Sequence, residues 1–295
     1  MPSDPLVTIV TPSLNQREFL EETLHSVRRQ DYPRIEHIVI DGGSTDGSVE
    51  IIRRHEAQLA LWISEPDTGQ SNAINKGFAK ATGSIFAWLN SDDLLAPSAV
   101  RIAVDRLQRE PAAGLVFGDR VQLDAKGNVT GFVRCPEFYP AMLRRNITIP
   151  QETAFFRREL FDRVGGLDES LHFAMDFDLW CKMTAVAPVR HVPAFLGCYR
   201  AHSASKSVAF HGVEGKDKFR DEVERVYRRH FNRGPAGPWA GGRYRLLHQW
   251  RTARERRSAE YAREVARIRR LVESGVPSAD AQTASTPASA ELGGR

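Results

Sequence analysis

The chain has 295 residues, 41% of them hydrophobic and 26% charged, and a formal net charge of +4. That length can bury one substantial core with an appended element and excludes two full-size domains. No apolar stretch approaches the roughly 20 residues that span a bilayer. The start Met1-Pro2-Ser3-Asp4-Pro5 lacks the basic and apolar parts of a signal peptide. Cys135, Cys181 and Cys198 have no paired metal-binding spacing, which argues against a disulfide framework or a zinc site. The resulting expectation is a cytoplasmic, reduced protein.

In chain order, Leu6 to Val10 is a short β-rich run stopped by Thr11-Pro12-Ser13. Leu20, Leu24 and Val27 then fall at helical spacing within Arg17 to Gln30. Ile35 to Ile40 reads as a second strand, ending in the polar, glycine-rich loop Asp41-Gly42-Gly43-Ser44-Thr45-Asp46-Gly47-Ser48, with a helix to His55. Leu59 to Ser64 is a third strand, closed by Glu65-Pro66-Asp67-Thr68-Gly69-Gln70 and followed by an amphipathic helix carrying Ala73, Ile74, Gly77 and Phe78. Ser84 to Leu89 is a buried strand that stops abruptly at Asn90-Ser91-Asp92-Asp93. Alternation of strand and helix points to a mostly parallel sheet with helices on both faces. Short right-handed crossovers bring Thr11, Asp41, Asp67 and Asp92 to one sheet edge, where ligands of open α/β sheets sit.

Val100, Val104 and Leu107 mark a further helix, and Leu115 to Leu123 with Val129 to Val133 read as a hairpin around Lys126-Gly127-Asn128. A polar region from Ile149 to Asp168 leads to Ala174-Met175-Asp176-Phe177-Asp178-Leu179-Trp180, a helix start with acids in its first turn. Gln151 has two readings there, contact with an acceptor and, ahead of it, an ordinary polar-loop residue. Val189 to Phe195 and Gly197 to Arg200 are expected as strand pieces before the loop at His202. Trp88 and Trp180 read as core.

Between 216 and 273 the chain carries 17 Lys and Arg against 8 Asp and Glu, so the basic character belongs to the C-terminal part. The expected organisation is one domain over 1–215, with a nucleotide-binding half to about 110 and an acceptor half from 111. A basic helical extension over 216–275 and a disordered tail over 276–295 follow. The extension has three readings: packing on the domain or a second subunit, peripheral contact with anionic lipid, and, last, nucleic-acid binding, which lacks a recognised motif.

Two carboxylates at a strand end, Asp92 and Asp93, suit a hard divalent cation such as magnesium or manganese. The competing reading is that Ser91 or Asp92 caps the next helix. A dinucleotide G-x-G-x-x-G, a Walker lysine loop and a G-x-S-x-G elbow are all missing. Asp41-Gly42-Gly43 is the nearest thing to a phosphate cradle, but its carboxylate repels phosphate and fits a base or ribose instead.

Several stretches, in order, carry a resemblance. They are Val10-Thr11-Pro12-Ser13-Leu14-Asn15, Val39-Ile40-Asp41-Gly42-Gly43-Ser44-Thr45-Asp46-Gly47, Asp67-Thr68-Gly69-Gln70-Ser71-Asn72-Ala73-Ile74-Asn75-Lys76-Gly77 and Leu89-Asn90-Ser91-Asp92-Asp93. Met175-Asp176-Phe177-Asp178-Leu179-Trp180 and Tyr199-Arg200-Ala201-His202 complete the set. The chain resembles an inverting family 2 glycosyltransferase with the GT-A nucleotide-sugar-binding fold. The resemblance implies that Thr11, Pro12 and Asp41 line the base and ribose pocket, that Asp67 and Gly69 close it, and that Asn90 meets a ribose hydroxyl. It implies Asp92 as metal ligand with Asp93 beside it, His202 at the metal or diphosphate, and Asp176 as the catalytic base. Asn90 stands where the family's first metal-motif Asp usually is, and Met175 where a Glu usually precedes the base.

The resemblance further implies a divalent metal cofactor (manganese or magnesium), a nucleotide-sugar donor with UDP-sugars foremost, and a glycan or lipid-linked acceptor, as in polysaccharide assembly. A carboxylate base with the ordinary pKa of about 3.9 is ionised at pH 7 and needs position more than tuning. Asp178 is its rival. A catalytically weak sugar-binding relative and a nucleotidyltransferase are the alternatives from other classes.

Overall fold

The computed structural model describes residues 4–138, 140–145, 149–203, 205, 206, 213–232 and 266. The chain opens β1 (Val7–Ser13), α1 (Leu20–Arg28), β2 (Ile35–Asp41), α2 (Ser48–His55), β3 (Leu61–Ser64), α3 (Gln70–Lys80) and β4 (Ile85–Trp88). These strands pair in parallel in the order β3-β2-β1-β4. The register aligns Ser13 with Asp41 and Asp41 with Ser64, so the polar strand ends meet at one edge.

Period-two alternation divides the buried side chains between two layers. Val10, Ile38, Ile40, Phe86 and Trp88 face α3 in one cluster, whereas Val7, Ile9, Ile85 and Ala87 face the opposite layer. On that opposite side lies α4 (Ala99–Arg109), whose Val100, Ala103, Val104 and Leu107 recur at helical spacing and are fully or almost fully buried. Phe78 stacks on Phe86 at 4.5 Å and Trp88 on Trp180 at 5.5 Å between centroids. Both tryptophans are core, as read, and burying each Phe ring contributes about 1.5–3 kcal/mol.

The second half completes the sheet with β5 (Leu94–Leu95), β6 (Leu115–Leu123), β7 (Val129–Val133), β8 (Phe155–Arg157) and β9 (Val189–Arg200). The full order is β3-β2-β1-β4-β8-β6-β9-β5, with β7 on β6. Here β8 pairs antiparallel with β4 and β6, and β5 antiparallel with β9. The hairpin around Gly127 forms as read, with Asp124 accepting the N–H groups of Lys126 and Asn128.

Some boundaries differ from the sequence reading. The two strand pieces after Val189 are one continuous strand, because a register shift opposite Phe117 and Asp119 absorbs exposed Pro193, which has no N–H to give a ladder. The third strand starts at Leu61 because Glu56–Gln58 forms a 3-10 turn. Strands β5 and β8 and helix α5 (Arg158–Val164) carry too few residues to show a period.

Helix α6 (Met175–Thr184) packs on α7 (Val213–Phe231) through Phe177 and Tyr227, whose rings lie 5.4 Å apart, and the Tyr227 hydroxyl donates to Leu143 O at 2.9 Å. The expectations for 233–275, except residue 266, and for 276–295 lie outside the described residues. Among the described residues no helix is long and apolar enough to cross a membrane.

Candidate active site

Two compartments, each of about 390 Å³, lie at the carboxyl ends of β1 to β4 and share Gln70, Asn90, Asp93, His172, Tyr199 and Lys206. The outer one adds Pro12, Leu14, Asp67, Gly69 and Asp92; the inner one adds Trp88, Arg120, Gln151, Glu152, Met175 and Asp176.

The outer compartment is built by loops that only particular residues allow. Gly69 has φ +130°, a conformation that favours glycine, and its N–H donates to Asp67 Oδ1 at 2.8 Å. A Cβ on Gly42 would stand 2.6 Å from Asp67 Oδ2, so a glycine there is what lets the carboxylate lie against the loop. Thr11 and Asp41 lie directly behind this wall, not on it. The Thr11 hydroxyl meets His37 Nε2 at 2.9 Å, and burial pulls that imidazole down to about 3, leaving it neutral. Asp41 is fully buried and accepts from Gly43 N, Ser44 N, Ser44 Oγ and Ser64 Oγ, so it shapes the loop from within.

The Asn90–Asp93 turn is held from β9. Strand β5 pairs with Gly197 and Cys198, which brings the end of β9 alongside the turn. Arg200, almost fully buried, donates from Nε to Asp92 O at 2.9 Å, from its backbone N to Asp93 Oδ1 at 2.9 Å, and to Glu22. Its guanidinium lies 5.0 Å from the Phe19 ring centroid, a cation–π contact. Two residues on, His202 Nε2 meets Asp92 Oδ2 at 2.9 Å.

Asp92 and His202 therefore meet, whereas Asp93 turns inward; burial, then Asp92 and Glu152, hold its carboxyl well above the usual range. Asn90 bonds Gln70 at 2.7 Å, and Gln70 in turn accepts from Lys206 Nζ at 2.7 Å. One carboxylate and one imidazole form an oxygen–nitrogen pair that fits manganese better than magnesium, which favours oxygen alone.

The inner compartment holds Asp176 in the first turn of α6. Burial raises its carboxyl to about 6, so the ordinary value expected from the sequence does not hold. Phe177 N donates to its Oδ1 at 2.7 Å. The rival, Asp178, points away: it is fully buried and accepts from Arg229 at 3.0 Å and His230 at 2.8 Å on α7, with Lys182 Nζ at 2.8 Å. Met175, at the place of the missing Glu, receives the Ser71 hydroxyl on its sulfur at 2.8 Å.

The floor is made by Arg120 and Glu152, which carry no motif in the sequence, and by Gln151, which is buried where a polar-loop residue is expected. Arg120 and Glu152 pair through two bonds of 2.5 and 2.6 Å, and the guanidinium lies 4.9 Å from the Tyr199 centroid. Gln151, buried, donates from Nε2 to Trp88 O at 2.7 Å, while its Oε1 has no partner among the described residues. An Arg within the apolar strand β6 is the sequence signal that could have found this floor. Glu222 of α7, buried, accepts from His172 N, Phe173 N and Ala174 N, capping α6 just before Asp176. Nothing in the sequence alone joins residue 222 to residue 173.

A model of glycosyl transferase family 2 matches residues 8–165, more than half of the chain. The chain belongs to glycosyl transferase family 2. This glycosyltransferase is 35% identical over 182 residues to an uncharacterized glycosyltransferase of Mycobacterium tuberculosis, covering 60% of this chain and 68% of the relative. In fold it is similar to S. aureus TarS 1–349 in complex with UDP-GlcNAc (TM-score 0.57, 17% identity, 75% of this chain and 72% of that one). It is also similar to a mannosyltransferase from Pyrobaculum calidifontis in complex with GDP-Man and Mn2+ (TM-score 0.56, 21% identity, 93% and 86%). The mixed α/β sheet of this glycosyltransferase is thus the GT-A fold, as the motif order implied.

Proposed function

We propose that the chain moves a single sugar from a nucleoside diphosphate sugar, a UDP-sugar foremost, to a hydroxyl of a glycan or lipid-linked acceptor, with inversion and with a divalent ion. The observation that carries this is the placement of Asp176. It lines a compartment that shares Gln70, Asn90, Asp93, His172, Tyr199 and Lys206 with the compartment lined by Asp92, whose Oδ2 meets His202 Nε2. The ligands named for the two structural neighbours, UDP-GlcNAc in one and GDP-Man with Mn2+ in the other, support a nucleotide-sugar donor.

In this reading the nucleotide occupies the outer compartment, between Pro12, Asp67 and Gly69. The ion, held by Asp92 and His202 with Asp93 behind them, would supply Lewis-acid neutralisation of the diphosphate. Lys206, reaching Gln70 between the compartments, adds positive charge on the same side. The sugar enters the inner compartment, where the free Oε1 of Gln151 accepts a sugar hydroxyl and Trp88 and Met175 exclude water. Oδ1 of Asp176 is engaged by Phe177 N, so Oδ2 takes the proton of the acceptor hydroxyl. The acceptor oxygen bonds to the anomeric carbon, the bond to phosphate breaks, and the diphosphate leaves with the electron pair. A carboxyl near 6 is ionised at pH 7 yet basic enough to help.

Of the roles open for the basic C-terminal part, packing on the domain is the one α7 supports through Asp178 and Glu222. Membrane contact at the inner face, or pairing with a second copy, falls to residues beyond 232.

Thermal-shift screening against nucleoside diphosphates and their sugars, with and without manganese, tests the reading. The expected outcome is a shift for one nucleotide that depends on manganese and is lost in Asp92→Ala. A panel that shifts nothing, with or without metal, overturns donor binding.

A further inference from the structure

Away from the active site, α1 and α2 bring three metal-ligating side chains together. Glu21 and His25 stand four residues apart on α1 and share a face. His55, the last residue of α2, faces them: its Nε2 is 3.2 Å from Glu21 Oε1, and its ring is edge-on to His25 with centroids 5.0 Å apart. The ligand atoms of all three lie within 4.8 Å of one another. Among the described residues no other three His, Cys, Asp or Glu converge so closely.

We propose that Glu21, His25 and His55 form a zinc-class metal site that clasps α1 to α2, separate from the ion at Asp92. The chemistry of the donors supports it. Two imidazoles and a carboxylate are a set that binds zinc and leaves a fourth position to water. Bonds of about 2.1 Å in a tetrahedron set donor atoms about 3.4 Å apart, close to the 3.2 Å between His55 and Glu21. The far nitrogen of a ligating histidine is usually held by an oxygen, and Gln58 Oε1 stands 3.5 Å from His55 Nδ1. If Nδ1 donates to Gln58, the Nε2 lone pair faces a carboxylate oxygen, an arrangement that calls for a cation between them.

The nearest competing charge is Arg54, 3.5 Å from Glu21 Oε1. Its side chain is 57% exposed, and an exposed ion pair of this kind is weak enough to yield to a metal. The site is also well placed to matter. Helix α1 leaves the loop that carries Leu14 and Gln16 into the outer compartment. That loop is bonded to the loop opening α2, through Asn15 N to Ser44 Oγ at 2.8 Å and Arg17 N to Asp46 Oδ2 at 2.9 Å. A clasp between the helices fixes both loops.

The test uses the full chain, free of affinity tags and stripped with chelator, carrying Asp92→Ala and His202→Ala to remove the other ion. Zinc and cobalt chlorides are titrated with calorimetry, visible absorption and thermal denaturation as readouts. The expected result is one equivalent of zinc, the d–d bands of low-coordinate cobalt, and a raised Tm, with affinity falling at least about tenfold in His25→Ala and in His55→Ala. Half-buried His25 can be replaced by Gln should His55→Ala not fold. Absence of cobalt bands and of a Tm shift, or unchanged affinity in the His25 variants, overturns the proposal and leaves the His55–Glu21 hydrogen bond alone.

Discussion

Asp176→Asn separates the cost of burying the proposed base from its use. Burial lifts this carboxyl from 3.8 to about 6, and each pH unit of displacement is worth about 1.36 kcal/mol. The ceiling is therefore about 3 kcal/mol; because Asp176 retains partial access to solvent, screening reduces it to about 1–2 kcal/mol. The folded state binds the proton more tightly than the unfolded state, so Asp176 lowers stability as pH rises from 3.8 to 6 and is neutral below that window. Asparagine keeps the Oδ1 acceptor for Phe177 N and removes only the charge. Urea denaturation of both proteins at pH 8 should show the variant more stable by about 1–2 kcal/mol, with the two equal at pH 3.5. Transfer should fall by about 10² to 10⁴, and wild-type transfer should decline as pH drops through 6. A variant that is no more stable at pH 8, or that keeps its rate within tenfold, refutes the burial and base argument and redirects the search for the base.

Glu222→Gln replaces a carboxyl acceptor of three backbone N–H groups by an amide whose NH2 opposes them. It should cost about 2–3 kcal/mol in denaturant unfolding and lower kcat more than nucleotide affinity, because the α6 cap that aims Asp176 loosens. Gln151→Leu should leave nucleoside diphosphate affinity unchanged by calorimetry but weaken the sugar nucleotide about tenfold, the worth of about one hydrogen bond. Equal affinity of the variant for the sugar nucleotide would remove Gln151 from the sugar pocket.

The parallel strands β1 to β4 were legible because their signals are local. Each strand of β1 to β4 announces itself by a β-rich run and ends in polar or glycine residues, and parallel alternation alone carries those ends to one edge. The placement of Asp92 beside His202 was legible only through the order of motifs, since 110 residues separate them. Thr11 and Asp41 show what a sequence omits: a polar residue at a strand end can be turned inward and satisfied by its neighbours, here His37 and the Ser44 and Ser64 hydroxyls. The raised carboxyl of Asp176 was also invisible, because it depends on burial beside α3, β4 and α7 and not on the residues around it.

The acidic residues of this chain divide by what they accept. Asp41 and Glu222 are buried against rows of N–H groups, and each fixes the backbone of a loop before a helix. Asp178 is buried against Lys182, Arg229 and His230, and fixes one helix to another. Such saturated carboxylates have little left to offer a ligand. Among the described residues Asp92 keeps its second oxygen clear of a hydrogen-bond partner, and so does Asp176, one on each side of the shared wall of Gln70, Asn90 and Lys206. The proposed function gives the chemistry to these two, and the others are spent on holding them. Helix α7 therefore bears on the candidate site although it lines little of it: it anchors α6 at Asp178 and caps it at Glu222, and Asp176 stands between those two grips.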